Sequence, residues 1–249
     1  MSRYFLEVSY KGTMYSGFQS QKNANTIQEE VEKAFQILQK INVIMVGSSR
    51  TDAGVHAVQN FFHFDFDETI HSHFVYKINA ILPDDISVKS ICEVHNDAHC
   101  RFDAISREYK YFIYRHKNPF LKETAFYFPY KLDLKKLNEA AEIIRSYSDF
   151  TSFSKRKTQV KTFICEIMRS EWRIEDECIV YNVKANRFLR GMVRALVATM
   201  LMVAREKISI EDFENIIKGK DPSKSNFSAP SHGLFLCKVE YSQNIFQQV

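Results

Sequence analysis

The chain has 249 residues, of which 45% are hydrophobic and 26% charged, with a formal net charge of +4. Such a composition suits one large or two medium soluble globular domains. No run approaches the roughly 18 apolar residues of a bilayer-spanning helix. The five scattered cysteines contain no Cys-x-x-Cys. A membrane span, a disulfide frame and a zinc site are thereby set aside, and a cytoplasmic protein without a signal peptide is expected.

Residues 3–10 alternate as a half-buried strand, with Tyr4, Leu6, Val8 and Tyr10 on one face. Thr26-Ile-Gln-Glu29 has capping-box spacing and opens a helix whose Ile27, Val31, Phe35 and Leu38 share a side. Strands are predicted over 43–47 and 58–66, a short helix near 72–82 ending before Pro83, and a strand over 86–94. The second half repeats this order. It has a strand over 106–115, a helix capped by Asp133 and running to about Arg145, and strands over 162–174 and 178–185. A long helix over about 187–205, a capping box at Ser209 and Asp212 before a helix over 211–218, and a last strand over 233–241 complete it.

Both halves read strand, helix, strand, strand, helix, strand, the order of the ferredoxin-like split unit. The fold expected is therefore α+β, with two similar βαββαβ halves, 1–105 and 106–249. They are expected to share a mixed or antiparallel sheet with a cleft between them. No Pro/Gly/Ser-rich linker marks the boundary.

Basic residues gather locally, at Lys155-Arg156-Lys157 with Lys161, at Arg101 and Arg107, and at Arg187, Arg190 and Arg194. Aromatic residues lie among them, a mixture that nucleic-acid surfaces use for phosphate contact and stacking. Most of the aromatics are nevertheless core residues.

Between the strands over 43–47 and 58–66 lies Gly47-Ser-Ser-Arg50-Thr-Asp52-Ala-Gly-Val-His56-Ala57. It holds an Arg, an Asp, a His and two Gly, more than a change of direction needs, in the kind of rigidly held loop where chemistry concentrates. No metal-ligand pattern, phosphate loop, nucleophile elbow or dinucleotide fingerprint accompanies it. Asp65 and Asp67 resemble a magnesium pair only superficially. The expectation is thus an enzyme without cofactor or metal. Arg187, Arg190 and Arg194 are spaced as one helical face that continues into apolar residues, so one of them is expected to pair with an acid. Asp52 is the acid most in need of a partner, since such a pair would keep it ionised.

The octet Arg50-Thr-Asp-Ala-Gly-Val-His-Ala57 resembles the signature of the tRNA pseudouridine synthase A family. Further similarity follows in family order: Tyr10-Lys-Gly-Thr, Gly17-Phe-Gln-Ser-Gln21, Leu82-Pro-Asp-Asp-Ile86 and His99-Cys-Arg101-Phe. Then come Arg107-Glu-Tyr109-Lys-Tyr111, Asp149-Phe-Thr-Ser-Phe153, Asn186-Arg-Phe-Leu-Arg-Gly-Met-Val-Arg194 and Ala229-Pro-Ser-His-Gly233-Leu.

The resemblance implies an isomerase that converts uridine to pseudouridine in the tRNA anticodon arm, at positions 38, 39 and 40, without a cofactor. It implies a homodimer with tRNA as partner. Asp52 takes the place of the catalytic aspartate, acting either as nucleophile at the ribose C1′ or in a route through a glycal. Tyr109 takes that of the base-packing tyrosine, and Arg194 that of the arginine paired with Asp52. Arg50 is expected to fill the gap left by the flipped nucleotide. Arg101 and Arg107 are candidates for phosphate contact, and His56 has a supporting role at the substrate. Three departures stand out: Ser49 in place of the glycine before Arg50, Phe18 in place of tryptophan, and Cys100 in place of alanine. Ser49 would matter if its backbone needed a positive φ.

Overall fold

A computed structural model describes residues 1–156 and 160–246; Lys157, part of the basic cluster read from the sequence, lies outside the described residues. The fold is α+β with a mixed sheet. The chain divides into two compact units, one holding Met1–Ile105 and the chain from Leu236 onward, the other Ser106–Phe235.

The first unit runs β1 (Ser2–Tyr10), α1 (Ile27–Gln39), β2 (Val46–Gly47), β3 (His56–Phe66), α2 (Phe74–Asn79) and β4 (Ile86–Val94). β1 lies between β4 and β3 and pairs antiparallel with both. Thr26 caps α1, its hydroxyl accepting the Glu29 N–H. The apolar side of α1 seats Phe35 edge-on against Phe64 and Phe66, with ring centroids 5.0 and 5.4 Å apart. β2 is shorter than the 43–47 predicted. The Met45 N–H donates to Glu32 Oε1 and the Met45 carbonyl accepts from Gln28 Nε2. Side chains of α1 therefore occupy the backbone groups that a longer strand would have used in its ladder.

The second unit holds most of β5 (Ala104–Tyr114), then β6 (Phe126–Tyr127), α3 (Leu134–Arg145), β7 (Ile167–Glu175), β8 (Cys178–Ala185), α4 (Met192–Ala204) and α5 (Ile210–Gly219). β8 pairs antiparallel with β5 and β7, while β6 adds to β5 in parallel. Asp133 caps α3 as read from the sequence, and the Ser209–Asp212 capping box opens α5. Asn138 docks α3 on β7 by exchanging two hydrogen bonds with the Trp172 backbone. β9 (Leu234–Tyr241) begins in this unit and ends in the first, where the Val239 N–H donates to Gln59 Oε1.

α4 starts five residues later than predicted. The chain enters it through Gly191 at φ 75°, a left-handed conformation that interrupts the helical path. Arg187 and Arg190 consequently precede the helix, and of the three arginines only Arg194 lies on it. The single helical face predicted for the trio is not formed.

Candidate active site

The loop between β2 and β3 is held from beneath by polar side chains. The Ser48 N–H donates to the Phe61 carbonyl, and Ser48 Oγ donates to Asn60 Oδ1 at 2.9 Å. Asn60 Nδ2 donates to the Ser49 carbonyl at 2.9 Å and to Tyr10 Oη at 3.2 Å. Tyr10 in turn shares a 2.8 Å hydrogen bond with Thr51 Oγ1. The Phe18 N–H donates to the Thr51 carbonyl, and a backbone bond from Val55 N–H to the Asp52 carbonyl closes the turn beyond it. Ser48, Ser49, Thr51 and Asn60 are all buried, while Asp52 is half-buried and Arg50 exposed. The loop thus presents Arg50 and Asp52 from a rigid base.

His56 is only 1% exposed, and its Nδ1 accepts the Gly12 N–H at 3.1 Å. It braces the loop against the segment after β1. A Cβ on Gly12 would sit 2.0 Å from the Val55 carbonyl oxygen, so only glycine allows this approach. Ser49 does not have a positive φ, so its Cβ carries no left-handed strain. Phe18 stacks on Phe62 at 4.6 Å and 16°, and Cys100 is fully buried with Sγ donating to the Val46 carbonyl at 3.0 Å. Each of the three departures has a packed place.

In the second unit, Tyr109 is half-buried on β5 and meets Phe188 edge-to-face at 5.0 Å. Arg194 is half-buried, with Nε donating to the Ala229 carbonyl at 2.6 Å. Its charge lies close enough to Tyr111 and His232 to act on both. Burial pushes the Tyr111 phenol well above its usual range, and Arg194 opposes that rise. Burial lowers His232, and Arg194 lowers it further. Arg107 is buried and donates Nη1 to the Asn186 carbonyl, so it is no solvated rim charge. Arg101 is exposed in the first unit, its guanidinium 5.7 Å from the Phe102 ring centre. Arg50 and Asp52 therefore share one loop of the first unit and His56 opens the strand that follows it, while Tyr109, Arg107 and Arg194 belong to the second.

Asp65 accepts a bidentate pair from Arg3, at 2.7 and 2.9 Å, which accounts for it without a metal. Among the described residues, no group of three or more His, Cys, Asp or Glu is placed to hold a metal ion. Nor is any helix there long and apolar enough to cross a membrane.

A family model described as tRNA pseudouridine synthase matches residues 7–103 and 147–242. The chain belongs to this family. A protein of Bacteroides fragilis named tRNA pseudouridine synthase A is 47% identical over 250 residues, covering 99% of each chain. One of Parabacteroides distasonis with the same name is 44% identical over 248 residues, covering 99% of this chain and 98% of its own. A Staphylococcus aureus protein of that name is 38% identical over 245 residues, covering 97% and 92%. The residues that match the pseudouridine synthase family model include the Asp52 loop, Arg101 and Arg194, while Arg107 and Tyr109 fall in the interval between the matched segments.

Sequence reading missed Tyr10, Ser48 and Asn60 as parts of the loop's support. A signal was present for one of them. Asn60 is the only polar residue among positions 60, 62, 64 and 66, which share a face of β3 and are otherwise Phe.

Proposed function

We propose that this protein is a tRNA pseudouridine synthase that isomerises uridine to pseudouridine in the anticodon arm. The observation that carries the reading is the match of nearly the full chain to tRNA pseudouridine synthases A, at 47% identity over 99% of each chain. The reaction breaks the N1–C1′ glycosidic bond, turns the uracil and forms a C5–C1′ bond. C5 loses a proton and N1 gains one, so no electrons are exchanged.

Asp52 is the group assigned to the sugar, as nucleophile at C1′ or in a glycal route. Its half-exposed place on a braced loop supports this role. Tyr109 is assigned to the face of the target base, and the edge-on contact with Phe188 supports it by limiting the ring's freedom. Arg194 is assigned as the cationic partner of Asp52, and the anchoring of its Nε on the Ala229 carbonyl supports this by fixing the guanidinium. Arg50 fills the vacated stack, Arg101 and Arg107 serve the tRNA backbone, and His56 supports the loop. Positions 38, 39 and 40 are the expected targets, a homodimer the expected working form, and the cytoplasm the expected compartment.

The test is pseudouridine mapping on unmodified tRNA transcripts incubated with the protein in EDTA. Wild type is expected to give product. Asp52→Ala is expected to lose about a thousandfold or more in rate with tRNA binding retained. Full activity in Asp52→Ala, or no product from any tRNA, rejects the assignment.

A further inference from the structure

We propose that Asn60 is a positioning residue for the isomerisation, fixing the segment 48–51 and thereby the aim of Asp52. The inference rests on the reading of Asp52 as the catalytic group.

An amide at this point is costly. Asn60 has no exposed surface and shares its strand face with Phe62, Phe64 and Phe66. An apolar side chain would avoid the desolvation of two polar groups. The carboxamide is instead fully used. Its oxygen accepts from Ser48 Oγ and the Phe61 N–H, and its nitrogen donates to the Ser49 carbonyl and Tyr10 Oη. These partners also fix which end is which, because the Ser49 carbonyl can only accept and the Phe61 N–H can only donate.

The backbone is shaped around this arrangement. Val8 pairs with Asn60 but Tyr10 pairs with Ala57, so β3 carries one extra residue against β1 just where it joins the loop. Such bulges bend a strand and re-aim its side chains. Asn60 thus grips Ser48 and Ser49 directly, and Thr51 through Tyr10. Residues on both sides of Arg50 are tied down, and the last tie is one residue from Asp52. A neutral amide holds this geometry without regard to pH. A reacting group displaced by about 1 Å costs on the order of a hundredfold in rate.

The test uses single-turnover pseudouridine formation on a tRNA transcript, with tRNA affinity and thermal melting measured in parallel. Asn60→Leu, similar in volume, is expected to slow the reaction about a hundredfold. Tyr10→Phe, which keeps the ring and loses the Thr51 tie, is expected to slow it about tenfold. Both are expected to bind tRNA within about twofold of wild type, and the double variant to be no slower than Asn60→Leu alone. Wild-type rates in the folded variants, or losses that arise only from weaker tRNA binding, overturn the proposal. Should Asn60→Leu not fold, Tyr10→Phe decides by itself. An active Asp52→Ala defeats the catalytic reading beneath the proposal. An inactive Asp52→Ala beside a fully active Asn60→Leu defeats the positioning role alone.

Discussion

Asn60 and His63 stand three residues apart on β3, on opposite faces of the strand, and each ties down a segment with a candidate site residue. Asn60 holds the Asp52 loop through a neutral carboxamide. His63 lies beside the segment that leads to Arg101, its Nδ1 accepting the Cys100 N–H at 3.4 Å and its ring 4.5 Å from that of His99. Arg3 adds a bond to the Ala98 carbonyl. Both anchors are buried polar groups with partners, as the cost of burial demands. They differ in that only one can ionise. The loop proposed to carry the chemistry is built on the anchor whose strength is independent of pH, and the flanking segment on one whose strength is not.

The largest effect is expected on the Asn60 side, from Gly12→Ala. The added Cβ would meet the Val55 carbonyl oxygen at 2.0 Å, a backbone atom of the turn that follows Asp52. The turn must move, and the Gly12 N–H bond to His56 stretches with it. Overpacking of this kind costs about 3 kcal/mol. Denaturant unfolding is expected to record that loss, and the single-turnover rate is expected to fall with it. A variant as stable and as fast as wild type would show that the turn is not braced here.

The His63 side is expected to respond to acid. Burial, reinforced by the neighbouring His99 and Arg3, lowers the His63 imidazole from its ordinary value of 6.5 to about 4, against the weaker opposing pull of Asp65 and Asp103. The unfolded chain therefore binds a proton between about pH 6.5 and pH 4 that the folded chain refuses. Stability rises with pH across that window, and acidification removes it. From pH 7 to pH 5 the loss through this group is about 2 kcal/mol. His63→Gln is expected to flatten the pH dependence of the melting temperature in that range. The Asn60→Leu variant is expected to keep the wild-type slope, since the amide does not titrate. Equal slopes in wild type and His63→Gln would remove the contrast between the two anchors.

Much of this contrast was out of reach of the sequence, for physical reasons. Strand alternation and helix capping depend on neighbouring residues, so β1, β4, α1, α3 and α5 were legible to within a residue or two. The irregular stretch holding Arg50 and Asp52 was legible as a loop between two strands because its unusual residues sit together in one short motif. The start of α4 was not, because periodicity alone does not reveal that Gly191 adopts a left-handed φ. The shortening of β2 was not, because Glu32 and Gln28 reach Met45 from another element. Asn60 pairs with residues 10 and 48 through the fold, and its polarity among phenylalanines marked it as unusual without saying what it held. Buried polar networks are long-range by nature, whereas capping and alternation are local.

The smallest effect is expected at Ser49, the residue next to Arg50. A glycine there would matter if the backbone were left-handed, but Ser49 is not among the positive-φ residues. What the structure uses at this position is the carbonyl, which accepts Asn60 Nδ2, and a glycine carbonyl accepts equally well. Ser49→Gly is therefore expected to leave the anchor intact. Its cost arises in the unfolded chain, which gains conformational freedom that folding must remove, about 0.5–1 kcal/mol. Chemical denaturation is expected to show a loss of that size with the single-turnover rate unchanged. A gain in stability would mean that the serine Cβ is strained after all. A slower reaction at undiminished stability would mean that the serine side chain, and not only its carbonyl, takes part in aiming Asp52.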